Sequence, residues 1–408
     1  MLITGTLLLP DHRVGRNGVR LAAGSLLVRN GRIAEVREGD PADEPDLGGD
    51  DTLILPGFID AHLHLPQFDS IGEDGMELLE WLERVVYPAE ARWADPDFAG
   101  AMALRACRHL APFGTTGIAA YLTVHHEASL AAARAVEAFG LRAVVGQTLM
   151  DREAPADLTR PALRLLAEAD AFVESLKGRT RIEAAVTPRF AIACTPELLA
   201  GAGAIAKRTG SIVQTHLAET EVECRRVAEL FDGTPYTEVY ERAGLLGERT
   251  ILGHGIRLDA AQRATLARTR SVIAHCPTAN AFLRAGSMDR AGLLRDGVRL
   301  ALGSDIAGGP DRSMVRVARA MLETAKARGD NPPDAAECWR QITAGNADAL
   351  GWADSGRIAP TAWADLVLVT PDVPWRDAPD PLARLLYAWD DRWIAATLAA
   401  GRTVYARG

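Results

Sequence analysis

"GFIDAHLHLPQF", residues 57–68, follows the apolar run "LILP" and carries two histidines one residue apart, His62 and His64. Residues i and i+2 of a strand point to the same face, so both imidazoles aim at one spot while Leu63 turns away. Two neutral imidazoles converging at a strand end make half of a transition-metal site. A polar rim at a strand end reads the same way in isolation. The rest of the chain has to decide between the two.

Outward from this stretch the texture repeats. Eight short β-rich runs follow one another: "LPGFIDAHLHL", "TTGIAAYLTV", "RAVVGQTL", "RIEAAVTP", "SIVQTHL", "TILGHG", "SVIAHC" and "RLALGSD". Between them lie Ala/Leu/Glu/Arg segments of helical period, such as "PELLAGAGAIAKRTG" with its glycine stop. Eight strand–helix units over roughly 300 residues is the count and size of a (β/α)8 barrel. The chain before them reads as short strands and turns, with "RNGRI" a hairpin signal, and strand-like texture returns after Gly351. The expected architecture is α/β. A TIM-type barrel spans residues 56–352, and residues 1–55 and 353–408 join in a small β-sandwich.

In such a barrel the chemistry sits at the C-terminal ends of the strands. His62 and His64 end the first run, His216 the fifth, His254 the sixth, His275 the seventh and Asp305 the eighth. One strand-end histidine is ordinary. Five of them and an aspartate, in register at one rim, favour a metal centre. His62, His64, His216, His254 and Asp305 supply five N/O donors suited to zinc, with Fe(II) also accommodated. A binuclear site would need a bridging group such as a modified lysine at the end of the fourth strand, where the sequence has Arg189 in "AVTPRF". One ion per chain is expected. Glu219 lies three residues beyond His216, where strand turns to helix. It either stabilises the helix dipole or, beside a metal ligand, shuttles protons.

The bulk composition narrows the class further. The chain has 408 residues, 48% hydrophobic and 24% charged, an ordinary globular balance with room for a large core. A formal net charge of -9 argues against a nucleic-acid partner. No run reaches transmembrane length, and the N-terminal stretch has no basic region or cleavage site of a secretory signal. The five cysteines are scattered, without a C-x-x-C pair, as in a cytoplasmic protein with reduced thiols.

The His-x-His, His, His, Asp pattern on a barrel resembles the amidohydrolase superfamily, and "H-x-x-E" on the fifth strand resembles its aminohydrolase branch. More narrowly, "HLPQF", "LLEWLERVVYPAEARW", "TPRFAIAC", "QTHLAE", "IAHCPTAN" and "LGSDIAGG" resemble the guanine deaminase family, in order over nearly the whole chain. The resemblance implies metal binding by the five residues above and acid–base work by Glu219, with Asp305 and His275 at the attacking water. It implies that a guanine-like ring meets Gln67, Arg189 and Phe190, and also His64, His216, Glu219 and Asp305. It further implies a homodimer. Gln67 offers donor and acceptor and Arg189 donors alone, matching a guanine edge and its carbonyl. Phe190 and Trp81 present planar faces that either stack on a base or fill core. His125 reads as peripheral. The "GPD" at residues 309–311 departs from the family pattern and bears on fine substrate preference. The same chemistry on 8-oxoguanine, a pterin or an s-triazine is the nearest alternative. Cyclic amide hydrolysis and a non-catalytic scaffold stand further off.

Overall fold

The computed structural model describes residues 1–11, 18–39 and 44–408. Eight parallel strands are hydrogen-bonded in chain order. They are β1 (Phe58–His64), β2 (Thr115–Tyr121), β3 (Arg142–Gly146), β4 (Ile182–Pro188), β5 (Ile212–Leu217), β6 (Thr250–His254), β7 (Val272–His275) and β8 (Arg299–Leu302). Their faces are buried almost throughout, which is why they read as near-continuous apolar runs rather than alternating ones. Inward side chains such as Ala119, Val144, Ile251 and Val272 pack together with the buried Trp352.

Between β1 and β8 the ring is stitched by side chains. Asn346 donates from Nδ2 to the carbonyls of Ile59 and Leu302, both at 2.7 Å, and accepts from the Leu302 amide at 2.8 Å. Closer to the rim the buried Asp60 accepts from the Ser304 amide at 3.0 Å and from the Ser304 hydroxyl. Two backbone bonds finish the seam, Asp305 N to His62 O at 2.8 Å and His64 N to Ile306 O at 2.7 Å. The ends of the first and eighth strands are thereby locked together.

The helices start and stop where their caps say. Thr195 accepts from the Leu198 amide ahead of helix Pro196–Thr209, which ends on Gly210 at φ 70°. The terminal segments, expected as a small sandwich, pair into one seven-stranded sheet. Its order is Arg402–Ala406, Ile394–Ala399, Leu366–Val369, Leu47–Pro56, Leu2–Asp11, Gly18–Arg29 and Arg32–Glu38. The "RNGRI" hairpin turns on Asn30 and Gly31, both at positive φ (51° and 76°), as its twist requires. Arg181, from the barrel, binds Asp365 at 2.8 Å and ties this sheet to the barrel.

Candidate active site

One ligand atom from each of His62, His64, His216 and Asp305 lies within 4.8 Å of the others. The Nε2 atoms of His62 and His64 are each 3.4 Å from Asp305 Oδ1, and His64 Nε2 is 3.1 Å from His216 Nε2. His254 stands at the edge of the group, its Nε2 3.9 Å from Asp305 Oδ2 and 3.4 Å from Glu219 Oε2. Two of these residues reach their places by an unusual backbone: His254 (φ 71°) and Asp305 (φ 53°) sit in the left-handed region. Non-glycine residues adopt it at a cost that the surrounding structure must hold. His62 leaves no space behind it. A Cβ on Gly303 would lie 2.6 Å from His62 Cβ, and one on Gly253 would lie 2.8 Å from His62 Cε1.

The donor set fits a divalent ion. Burial lowers the imidazole pKa values, to about 3 for His64 and about 4 for His254, and well below the ordinary value for His216. Burial raises Asp305, but the facing His62 and His64 imidazoles outweigh it and hold the carboxylate well below its usual range. The result is neutral imidazoles around one anion, the protonation state metal ligands need. Their outward nitrogens are anchored. His216 Nδ1 donates to the Arg189 carbonyl at 2.7 Å, and His254 Nδ1 to Asn280 Oδ1 at 3.0 Å, so each Nε2 keeps its lone pair for the centre. The Nε2 of His62 is buried without a hydrogen-bond partner. A polar atom left so in a packed interior calls for a ligand.

Glu219 is one residue short of the helix Glu221–Leu230, ahead of its N-cap Thr220. Glu223 supports it from below: its Oε2 accepts from the amides of Glu219 (2.7 Å) and Thr220 (3.2 Å), and its Oε1 from the Tyr236 hydroxyl (2.8 Å). Burial, with added repulsion from Asp305 and Glu223, pushes the Glu219 carboxyl well above its ordinary value, so it keeps its proton to higher pH than a solvated carboxyl does. Its Oε1 has no partner.

A narrow cleft lies over the centre, lined by His64, His216, His254, Glu219 and Asp305 and walled by Gln67, Trp81, Arg189 and Phe190. Trp81 is also part of the core, its Nε1 donating to the Glu73 carbonyl at 3.1 Å. Glu90 was not foreseen. It sits in helix Tyr87–Ala91, buried, and its Oε1 accepts from Gln67 Nε2 at 3.0 Å and from Arg189 Nη1 at 2.5 Å.

Residues 53–404 match the profile of the amidohydrolase family. The chain belongs to that family. Among its amidohydrolase relatives, guanine deaminase of Escherichia coli (strain K12) is 31% identical over 87% of this chain and 83% of its own length. Guanine deaminase of Dictyostelium discoideum is 36% identical, over 65% of this chain and 60% of its own. A crystal structure of guanine deaminase from C. acetobutylicum with guanine bound in its active site superposes with a TM-score of 0.91. It covers 99% of both chains at 26% identity.

Set against the sequence expectations, the amidohydrolase barrel brings His62, His64, His216, Asp305, His254, Glu219, Gln67, Arg189 and Phe190 to one mouth. His275 ends β7 with both ring nitrogens buried and unpartnered, outside the four-residue group and the cleft lining. His125 lies 3.3 Å from Arg160, away from the cleft, and Asp311 faces Arg316 at 3.9 Å rather than the cavity. Glu90 and Glu223 had one sequence signal: acidic residues amid apolar neighbours in motifs otherwise rich in site residues.

Proposed function

We propose that the protein hydrolyses guanine to xanthine and ammonia, using one divalent ion, zinc or Fe(II), per chain. The observation that carries this is the single cleft where the His/Asp group with its orphaned His62 Nε2, the buried Glu219 carboxyl and the Gln67–Arg189 pair meet. The similarity to guanine deaminases over most of the chain supports it.

His62, His64, His216, Asp305 and the adjacent His254 would hold the ion. When bound, it supplies Lewis acidity that lowers the pKa of a coordinated water from about 15.7 toward about 7. Gln67 and Arg189 orient the ring by its polar edge, with Arg189 donating to the O6 carbonyl, and Phe190 covers its face. This leaves C2, which bears the exocyclic amine, toward Asp305. Asp305 accepts the proton of the water whose oxygen adds to C2. Glu219 gives its proton to N3, the ring nitrogen beside C2 that carries no hydrogen, so no ring anion builds up. Protonation of the amine through Glu219 and Asp305 releases ammonia as the C2 carbonyl of xanthine forms. His275 hydrogen-bonds the attacking oxygen in this reading. The protein acts as a homodimer, as its family resemblance implies, and its scattered free cysteines suit the cytoplasm.

Ammonia release measured across guanine, 8-oxoguanine, adenine, a pterin, ammeline and cytosine tests the assignment. A site built to bond a polar edge rejects a ring with the wrong edge by about 10⁴–10⁵-fold. Adenine has its amine at C6 and no carbonyl for Arg189, so guanine turns over and adenine does not. Adenine processed within about tenfold of guanine removes the guanine assignment.

A further inference from the structure

The environment of Glu90 says more about what the cleft accepts. Its carboxylate can only accept hydrogen bonds, so the Gln67 atom facing it at 3.0 Å is the amide nitrogen. The Gln67 carbonyl oxygen is thereby left to accept from a ligand. The same oxygen of Glu90 binds Arg189 at 2.5 Å, and both side chains of that ion pair are buried, 1% and 2% exposed. Glu90 Oε2 has no hydrogen-bond partner. Among the described residues, Glu90 is the one carboxylate within ion-pair distance of Arg189. Tyr87 and Tyr121 also face the guanidinium, and His64 and His216 lie beyond them. Burial raises the two tyrosines further above their ordinary range, so both phenols are uncharged near neutral pH.

We propose that Glu90 is a specificity-determining residue of the cleft. It holds Gln67 with its acceptor side toward the ligand and cancels the Arg189 charge, so the site takes an uncharged purine and sheds an anionic one. The inference rests on the guanine reading. Under that reading it has a functional consequence, because substrate and product differ in charge. Guanine is neutral near pH 7, whereas xanthine, with a second ring carbonyl, ionises more readily. A neutral recognition edge binds the substrate and lets the ionised product go; a bare guanidinium would retain the product.

Glu90→Gln keeps the shape of the side chain, removes its charge and lets position 90 donate as well as accept. With metal-loaded protein, two quantities are measured. One is KM and kcat for guanine. The other is the ratio of xanthine inhibition constants on the acid and alkaline sides of xanthine's ionisation. In Glu90→Gln, KM for guanine rises by about tenfold or more, and xanthine inhibition on the alkaline side tightens by about tenfold relative to wild type. A merely structural role would not move that ratio toward the anion. Should Glu90→Gln not fold, Arg189→Gln reads the balance from the other side: a net negative edge weakens alkaline xanthine inhibition relative to acid. A ratio unchanged within twofold in the variant that folds overturns the inference and leaves the guanine reading standing. Absence of guanine turnover by wild-type protein overturns both.

Discussion

Glu219 and Asp305 are two buried carboxyls of one mouth whose surroundings drive them in opposite directions. Nothing donates to Glu219 Oε1, and two neighbouring carboxylates oppose its ionisation. Asp305 instead faces the Nε2 atoms of His62 and His64. A pair split in this way provides an acid and a base at the same pH. Replacing Glu219 by Gln keeps size and removes the transferable proton. The variant retains one metal ion per chain and loses about 10²–10⁴-fold in kcat for guanine. Metal analysis beside steady-state kinetics checks this; near-wild-type turnover would take Glu219 out of the mechanism.

At the scale of elements, the seam between β1 and β8 carries the centre, since His62 and His64 end one strand and Asp305 follows the other. Asn346, from the helix Asn346–Ala349, uses donor and acceptor atoms together to join Ile59 to Leu302 there. Asn346→Ala leaves three buried backbone groups short of partners. A buried group so orphaned costs about 1–3 kcal/mol, and the expected loss is at least ~2 kcal/mol of stability. The urea midpoint falls at unchanged slope, while kcat in excess metal stays within a few-fold because no group in the cleft is removed. An unchanged midpoint would mean that water or backbone movement repairs the seam. The turn after β5 obeys the same logic: the Thr220–Glu223 capping box uses a buried carboxylate to set the angle at which Glu219 enters the cleft.

For the molecule as a whole, the interior stores proton-linked stability. Burial lowers His275 to a pKa of about 3, with the positive charge of Arg290 adding to the effect. Unfolded, the same side chain titrates near about 6.5. Between those values the unfolded chain binds a proton that the folded chain does not, so the contribution is complete above the unfolded pKa and drains away as pH falls toward the folded one. The metal-free protein therefore loses stability on acidification below about pH 6.5, by about 1.4 kcal/mol per pH unit from this histidine. In His275→Gln the slope of unfolding free energy against pH, from urea titrations between about pH 4 and 6, is shallower by that amount. An identical slope would mean that His275 is charged in the folded state.

The barrel and its centre were legible from residue order because both rest on short-range rules. Period-two geometry puts His62 and His64 on one face, parallel strands buried on both sides read as apolar runs, and strand ends gather at one rim whatever the loops do. His216, His254 and Asp305 needed no more than their positions at the ends of such runs. What the chain order leaves undetermined are pairings between distant residues, where periodicity carries no information. Glu90 meets Arg189 across 99 residues of sequence, and Asn346 reaches Ile59 across 287. His275 looks like its strand-end companions in sequence, and only the structure shows both its ring nitrogens buried and unpartnered. Local pattern selects which face of an element is buried. Only the packed structure decides which buried carboxylate meets which cation, because each buried charge must find its partner among all the groups that folding brings within reach.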